Sequence, residues 1–233
     1  MTGTPPQGPA RVRSRPRPEG RRRLTREVIV AAGLRLADAE GLDAVSIRGL
    51  AAMLGARPMS LYRHIERKED LLDLMFDDLA GAVLEDGPLP SGWRDALMVV
   101  ADRKRRVCLA HPWAAALYAR RPRIGPNSVM QLELAIAALR PLTADLVQAV
   151  RVVNAVDDYT IGHVTRELIY DAGGEADWSQ AMRPYLTGLA DSGRYPTLAP
   201  LLADPVRDDS DATFAAGLGW LLDGIAKSFG RDG

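Results

Sequence analysis

The stretch LGARPMSLYRHIERKEDLL, residues 54–72, decides the fold class of its region. Gly55 suits the left-handed backbone that ends a helix, and Pro58 fits the first turn of the next one, where its missing N–H is not needed. Leu61 and Ile65, four residues apart, mark one face of that second helix. The sequence therefore predicts a helix, a tight turn and a helix that continues from Pro58 through Ile65.

The residues before this turn have the spacing of two further helices. Thr25 is the predicted N-cap of the first helix, which ends at Gly41, and Ser46 is the predicted N-cap of the second, which ends at Gly55. Residues 24–70 are therefore predicted to form a three-helix domain. Its first two helices repeat apolar residues at helical spacing: Ile29, Ala32, Gly33 and Leu36 in one, and Ile47, Leu50, Ala51 and Leu54 in the other.

The short helix after Pro58 carries an unusual set of hydrogen-bonding side chains. If its apolar residues pack inward, a step of roughly 100° per residue turns Met59 and Arg63 outward. A short helix with a packed back and donors on its front fits a major groove. The alternative for each residue alone is half-buried scaffold or solvated surface. On this reading the predicted DNA contacts are Arg48, Arg57, Met59, Ser60, Tyr62, Arg63, His64 and Lys68.

The charge of the chain is unevenly distributed, although its net charge is zero. Residues 1–70 hold 14 Lys and Arg against 8 Asp and Glu, and the remainder is correspondingly acidic. A basic region gains affinity for a polyanion by releasing counterions. Residues 1–23, with five Pro and seven Arg, predict a disordered basic arm that either contacts DNA or is a flexible tail without specific contacts.

Composition excludes several classes of protein. No apolar run is long enough to span a bilayer or act as a signal peptide, so we expect a cytoplasmic protein. A single cysteine and three scattered histidines give no metal-site spacing. No nucleophile–base pair, Gly-rich phosphate loop or paired carboxylates stand out, so we expect no catalytic residues, no cofactor and no enzyme.

The rest of the chain is predicted to be helical, which makes the protein all-α. Residues 86–92 are the clearest linker, and Thr143 is the predicted N-cap of a long helix that reaches residue 171. The Pro-containing stretch 194–205 is predicted to lack an element. The other predicted helices cover residues 68–84, 93–110, 113–120, 128–140, 178–191 and 210–229.

Residues 24–72 resemble the DNA-binding domain of the tetracycline repressor (TetR) family, including its Leu-Tyr-x-His motif at residues 61–64 and its Lys at position 68. The resemblance continues to about residue 229, since the second part of the chain is similar to the C-terminal domain of the tetracycline-repressor branch of the family. It adds Pro58 to the expected DNA contacts and implies a homodimer whose residues 71–233 form an effector-binding and dimerisation domain. It also implies repression that a small molecule relieves.

The ligand is not inherited with the fold. Leu84, Val100, Tyr118 and Ala135 stand where tetracycline-binding members carry polar or metal-binding residues, so the resemblance implies a more hydrophobic effector than tetracycline. Several candidates also fit other roles: Met130, Leu134 and Cys108 as core, Lys104 as solvated surface, and Asn154 with Asp158 as a subunit contact. The candidate ligand residues are Leu84, Val100, Lys104, Cys108, Tyr118, Met130, Leu134, Asn154 and Asp158.

The last helix has an apolar face that predicts a dimer interface, with the core of its own chain as the alternative. Together with the helix from Thr143 it would form a four-helix contact that sets two recognition helices on a palindromic operator. The alternatives to a ligand-responsive repressor are a non-specific architectural DNA-binding protein and a helical ligand-binding protein without DNA function. The predicted interface residues are Phe214, Gly217, Leu218, Leu221, Leu222 and Ile225.

Overall fold

The computed structural model describes residues 24–85, 87–118, 124–172, 175–204 and 210–230. Within these ranges the chain forms α-helices joined by turns and contains no strand, which confirms the all-α prediction. The predicted arm, residues 1–23, lies outside the described residues. The helices are α1 (Arg26–Glu40), α2 (Ile47–Met53), α3 (Pro58–Leu61), α4 (Lys68–Glu85), α5 (Trp93–Ala110), α6 (Ala114–Tyr118), α7 (Pro126–Ala138), α8 (Leu146–Ala172), α9 (Glu175–Asp191), α10 (Ala199–Ala203) and α11 (Ser210–Ser228).

The first two helices begin and end where the sequence predicts. The Thr25 hydroxyl accepts a hydrogen bond from the Val28 N–H at 3.4 Å, and the Ser46 hydroxyl accepts one from the Gly49 N–H at 3.1 Å. Each bond satisfies a backbone donor that the first turn of a helix leaves free. Gly41 ends α1 with φ +84°, in the region that favours glycine.

One hydrophobic core joins the three N-terminal helices to α4. Leu50 and Leu61 are fully buried in it together with Leu71 and Met75 of α4. Gly33 permits the close approach of α1 to α4, because a Cβ added there would lie 2.9 Å from the Met75 sulfur. The core therefore continues across residue 70, where the sequence predicts a domain boundary.

A second core lies in the C-terminal half, where α5, α7, α8 and α11 meet. Leu97, Ala135, Val156 and Leu218 are buried there, one from each helix. The long α8 packs along both α5 and α11. Of these four helices, α5, α7 and α8 also line the central cavity described below.

Several predicted boundaries are wrong, among them the start of α9, which begins at Glu175 instead of residue 178. Helix α7 begins at Pro126 instead of residue 128, since proline is tolerated in a first helical turn. Helix α8 begins at Leu146, and Asp145 caps it instead of Thr143: the Asp145 carboxylate accepts a hydrogen bond from the Val147 N–H at 2.8 Å. The stretch 194–205 contains the short helix α10, which the sequence analysis missed.

An ionic network around the buried Arg105 connects α5, α8 and α11. Arg105 donates two hydrogen bonds to Glu167, at 2.8 and 2.6 Å, and forms an ion pair with Asp211 at 2.7 Å. Burial alone would raise the pKa of Glu167, but hydrogen bonds from Arg105 and Ser210 outweigh it and lower that pKa. Burial lowers the pKa of the neighbouring His163, which favours its neutral form. Among the residues described, no helix has the length and apolarity needed to cross a bilayer.

Candidate nucleic-acid interface and ligand cavity

The turn between α2 and α3 has a compact geometry that fixes the angle between the two helices. Gly55 has φ +59°, and the Ala56 N–H donates to the Ala51 carbonyl at 2.9 Å, which is the 6→1 bond of a helix C-terminal motif. Arg57 is extended, and Pro58 then opens α3. The sequence pattern around Gly55 and Pro58 therefore has a direct structural counterpart.

Helix α3 and the turn after it have a buried back and an exposed front. Leu61 and Ile65 are buried, whereas Met59 is 73% exposed and Tyr62 and Arg63 are also exposed. The other predicted DNA contacts differ in their exposure to solvent. Arg48, Arg57 and Pro58 are exposed, and Ser60, His64 and Lys68 are half-buried.

Helix α3 is shorter than predicted. It ends at Leu61, and a hydrogen-bonded turn continues to Ile65. The His64 N–H donates to the Leu61 carbonyl at 2.9 Å, a bond over three residues that tightens the chain at a helix end. The guanidinium of Arg26 in α1 donates to the His64 carbonyl at 3.5 Å. The exposed front therefore spans one helical turn and one tighter turn.

A cavity of about 350 Å³, here called the central cavity, lies between α4, α5, α7 and α8. It brings together five predicted ligand residues: Val100, Lys104, Tyr118, Asn154 and Asp158. Ala135, which stands at a pocket position of the family, also lines it. The lining residues that were not predicted are Phe76, Ser128, Gln131, Leu132, Val153 and Asp157.

A second cavity of about 360 Å³, here called the linker cavity, lies beneath residues 87–91. Leu84 and Leu134 line it, as does Val100. Val100 and Gln131 line both cavities, so the two adjoin at these side chains. The combined space is within the size range of small-molecule sites, roughly 300–1,000 Å³.

Two predicted ligand residues line neither of these cavities. Cys108 is fully buried in the N-terminal core, where burial raises the pKa of its thiol to about 12, so it packs as a small apolar side chain. Met130 is 51% exposed on the outer side of α7. The structure therefore corrects both assignments: one residue lies in the core and the other on the surface.

The wall of the central cavity is more polar than we expect from Val100 and Ala135, which stand where tetracycline-binding members carry polar residues. Lys104 is buried, pairs with Asp157 at 2.5 Å and lies 5.2 Å from the centroid of the Tyr118 ring. Burial raises the pKa of Tyr118, so its hydroxyl keeps its proton. Gln131 lies one turn before Ala135 on the same side of α7. The alignment with the family places Ala135 at the polar position, so it does not identify Gln131.

The predicted interface on α11 needs correction. Phe214, Leu218 and Leu222 are buried in the core of their own chain, and Leu221 and Ile225 pack against that core. Gly217 does allow a close approach, but to Tyr159 of the same chain, whose hydroxyl donates to the Phe214 carbonyl at 2.9 Å. The apolar pattern identified a buried face, and that face is covered from within the chain.

The opposite side of α11 is exposed. Trp220 is 74% exposed, and Ala216 and Gly224, one turn to either side of it, are also exposed. On α8, Val147 and Ile169 are exposed apolar residues. Contiguous exposed apolar patches mark interaction surfaces, whereas single exposed apolar side chains are ordinary.

Comparison with known proteins agrees with this architecture. A model described as bacterial regulatory proteins of the tetR family matches residues 29–75, and one described as a tetracyclin repressor-like C-terminal domain matches residues 87–229. An HTH-type transcriptional regulator from Saccharopolyspora erythraea is 36% identical over 99% of this chain and 98% of its own length. The HTH-type transcriptional repressor DrrR1 from Streptomyces coeruleorubidus is 35% identical over 87% of this chain and 77% of its own.

A solved structure has the same arrangement of helices. ActR from Streptomyces coelicolor in complex with actinorhodin superposes with a TM-score of 0.78, at 29% identity, over 90% of this chain and 100% of its own. Fold and relatives together define a helix-turn-helix transcriptional regulator. The chain belongs to the TetR family.

Proposed function

We propose that this regulator represses transcription as a homodimer on a palindromic operator and that a small molecule in the central cavity releases it. The observation that carries the DNA-binding part is the exposed front of Met59, Tyr62 and Arg63 over the buried Leu61 and Ile65. A packed back holds such a helix in place while its front enters a major groove.

Each exposed residue has a contact suited to its chemistry. Arg63 presents paired donors to guanine, and Met59 supplies an apolar contact to a thymine methyl. Arg48, near the start of α2, and Lys68, at the start of α4, are suited to the phosphates on either side. The relative DrrR1 is named a repressor, which supports repression over activation.

The proposed dimer uses the exposed sides of α8 and α11. Trp220 would lie at the centre of the α11 contact, and its neighbours Ala216 and Gly224 are small enough to let a partner helix approach closely. Burying a side chain of this size and exposure contributes roughly 3 kcal/mol per copy. A two-fold dimer would place its recognition helices about 34 Å apart, one turn of DNA.

The effector part rests on the two adjoining cavities. ActR, the solved relative, is described in complex with the small molecule actinorhodin, and its fold matches this chain closely. Leu84 and Val100 replace polar anchors that tetracycline-binding members carry, so the proposed effector differs from a magnesium–tetracycline chelate. The linker cavity is suited to a hydrophobic part of that ligand, since Leu84, Leu89 and Leu134 line it.

Helix α4 is the proposed connection between cavity and DNA. It starts beside the helix-turn-helix at Lys68 and lines the linker cavity at Leu84. The buried carboxylate of Asp77 accepts hydrogen bonds from the N–H groups of Ser128, at 2.9 Å, and Asn127, at 3.3 Å. A ligand that displaces α7 would therefore pull on α4 and change the spacing of the recognition helices.

Footprinting on the DNA that adjoins the gene for this protein tests the proposal. We expect a protected palindrome with two half-sites one turn apart. Uniform, salt-sensitive binding along the fragment would favour a non-specific architectural protein. An unprotected fragment would favour a helical ligand-binding protein without DNA function.

A further inference from the structure

Two side chains that line the central cavity each carry a buried polar atom without a hydrogen-bond partner among the described residues. These atoms are the hydroxyl of Tyr118 and the amide nitrogen of Gln131. Buried donors without a partner are costly and uncommon in folded proteins. Because both side chains line the same cavity, a bound molecule can satisfy them together.

We infer that the central cavity recognises an uncharged ligand through a carbonyl oxygen that accepts hydrogen bonds from Gln131 and Tyr118. The inference rests on the proposed function, since it names the class of effector for the proposed site. A carbonyl oxygen has two lone pairs, and it can accept from an amide N–H and a hydroxyl at once. The raised pKa of Tyr118 supports this, because its hydroxyl remains a donor.

The charges around the cavity disfavour an anionic ligand, and the unpaired donors at its buried end disfavour a cationic one. Lys104, the cation of the wall, is already paired with Asp157, and Asp158 adds a second carboxylate at the exposed side. An anion would be repelled by the carboxylates of Asp157 and Asp158, and the positive charge of Lys104 is already paired with Asp157. A cation would bring further donors to a buried end that already holds unsatisfied ones. An uncharged ligand with a hydrogen-bond acceptor avoids both the repulsion and the excess of donors.

The body of the ligand is apolar. The central cavity continues at Val100 and Gln131 into the linker cavity, where Leu84 and Leu134 supply an apolar wall. Phe76 and Tyr118, in edge-to-face contact at 4.9 Å between ring centroids, form the aromatic side of the central cavity. A ketone on an extended aromatic or aliphatic skeleton fits both compartments.

The test uses two probes of nearly the same shape, benzophenone and diphenylmethane, which differ by the carbonyl oxygen. Isothermal titration of the full-length protein is expected to give about fivefold tighter binding of the ketone. Transfer from water to an apolar site would by itself favour diphenylmethane, the more hydrophobic probe. Tighter binding of benzophenone therefore has to come from hydrogen bonds to its carbonyl oxygen. A third probe, 4-benzoylbenzoate, is expected to bind more weakly than benzophenone.

Variants test whether Gln131 and Tyr118 cause the preference for the ketone. Gln131→Met and Tyr118→Phe each remove one donor at nearly constant volume, and each should reduce the preference for the ketone. In the double variant the order should reverse, with diphenylmethane bound more tightly. Gln148→Met, on α8 and outside both cavities, is the matched control and should keep the wild-type preference. Circular dichroism of every variant verifies the fold.

Several results would overturn the inference. They are equal or tighter binding of diphenylmethane to the wild type, a ketone preference that survives in the double variant, tighter binding of 4-benzoylbenzoate, and no binding of benzophenone up to its solubility limit. Footprinting on the same preparation separates this failure from failure of the proposed function. A protected palindrome without ketone preference contradicts only the inference, whereas a ketone preference without protected DNA contradicts only the regulator.

Discussion

Arg63 lies on the exposed side of a turn whose other side, formed by Leu61 and Ile65, is buried. Its guanidinium can therefore reach a guanine without a change in the core. We expect Arg63→Ala to lower operator affinity by about 10- to 100-fold at fixed salt, the range for one lost bidentate base contact.

The matched control for this prediction is Arg140→Ala. Arg140 is exposed beyond the end of α7 and carries the same charge far from α3 along the chain. It should change operator affinity less than twofold when both variants are titrated against the same labelled duplex. Equal losses in the two variants would show that net charge, and not a base contact, accounts for the effect of Arg63.

The Arg105 network makes stability depend on pH through two residues. Because the pKa of His163 is lowered in the folded chain, the unfolded chain binds a proton first as the pH falls through the ordinary histidine pKa, about 6.5. The lowered pKa of Glu167 acts in the same direction below the ordinary glutamate pKa, about 4.3. Stability should therefore fall as the pH decreases from 7 toward 4.

Urea unfolding at a series of pH values measures this dependence. His163→Gln should flatten the change between about pH 7 and 5.5, near the ordinary histidine pKa. Glu167→Gln should lower stability at neutral pH, because it weakens the partner of the buried Arg105. A wild-type protein that gains stability on acidification through this range would contradict the assignment of both groups.

Sequence reasoning succeeded for residues whose position follows from local periodicity. The burial of Leu61 and Ile65 and the exposure of Met59 and Arg63 follow from the rotation of roughly 100° per residue. It failed for Gln131, which lines the central cavity one turn before Ala135, because the family pattern singled out only Ala135 on α7. It also failed for Leu218, because periodicity identifies an apolar face without showing which chain covers it.

At the scale of elements, the contact between α4 and α7 depends on Asp77. Its carboxylate caps α7 from outside the helix, through the N–H groups of Asn127 and Ser128, and lies so close to Gly125 that a Cβ there would collide with it. Asp77→Ala should cost about 1–2 kcal/mol, as for other lost helix caps. Hydrogen exchange at Asn127 and Ser128 should accelerate.

Two further variants control for the Asp77 prediction. Asp77→Asn keeps an acceptor oxygen and should lose less stability than Asp77→Ala. Asp78→Ala removes a carboxylate from the neighbouring exposed position and should leave amide exchange at the start of α7 unchanged. Unaltered protection of Ser128 in Asp77→Ala would contradict the proposed connection between α4 and α7.

Boundaries of elements were predictable where one residue type determines the backbone, as at Gly41 and Gly55, both with positive φ. They were less predictable where several residues compete for one role. Thr143 and Asp145 are both good caps, and the structure uses the carboxylate, which accepts from Val147. The early end of α3 at Leu61 was not predicted, because the apolar spacing of Leu61 and Ile65 continues through the tighter turn that follows the helix.

At the scale of the whole molecule, one hydrophobic core joins the helix-turn-helix to the side of the central cavity formed by Phe76 and Tyr118. One core runs from α1 through α4 to α6, and Asp38 of α1 accepts hydrogen bonds at 2.7 Å from both His111 and Trp113 at the α5–α6 junction. The division at residue 70 describes the sequence pattern more than the packing. A displacement near the cavity can therefore reach α1 as well as α4.

The proposed recognition of a palindrome requires two paired chains, and Trp220 lies at the centre of the proposed contact between them. The measurement compares affinity for the full palindrome with affinity for a single half-site, in the wild type and in Trp220→Asp, with oligomeric state followed by sedimentation. We predict that the wild type is a dimer that binds the palindrome at least 100-fold more tightly, and that Trp220→Asp is a monomer that binds both duplexes alike. A wild-type protein that does not distinguish the palindrome from the half-site would contradict the account.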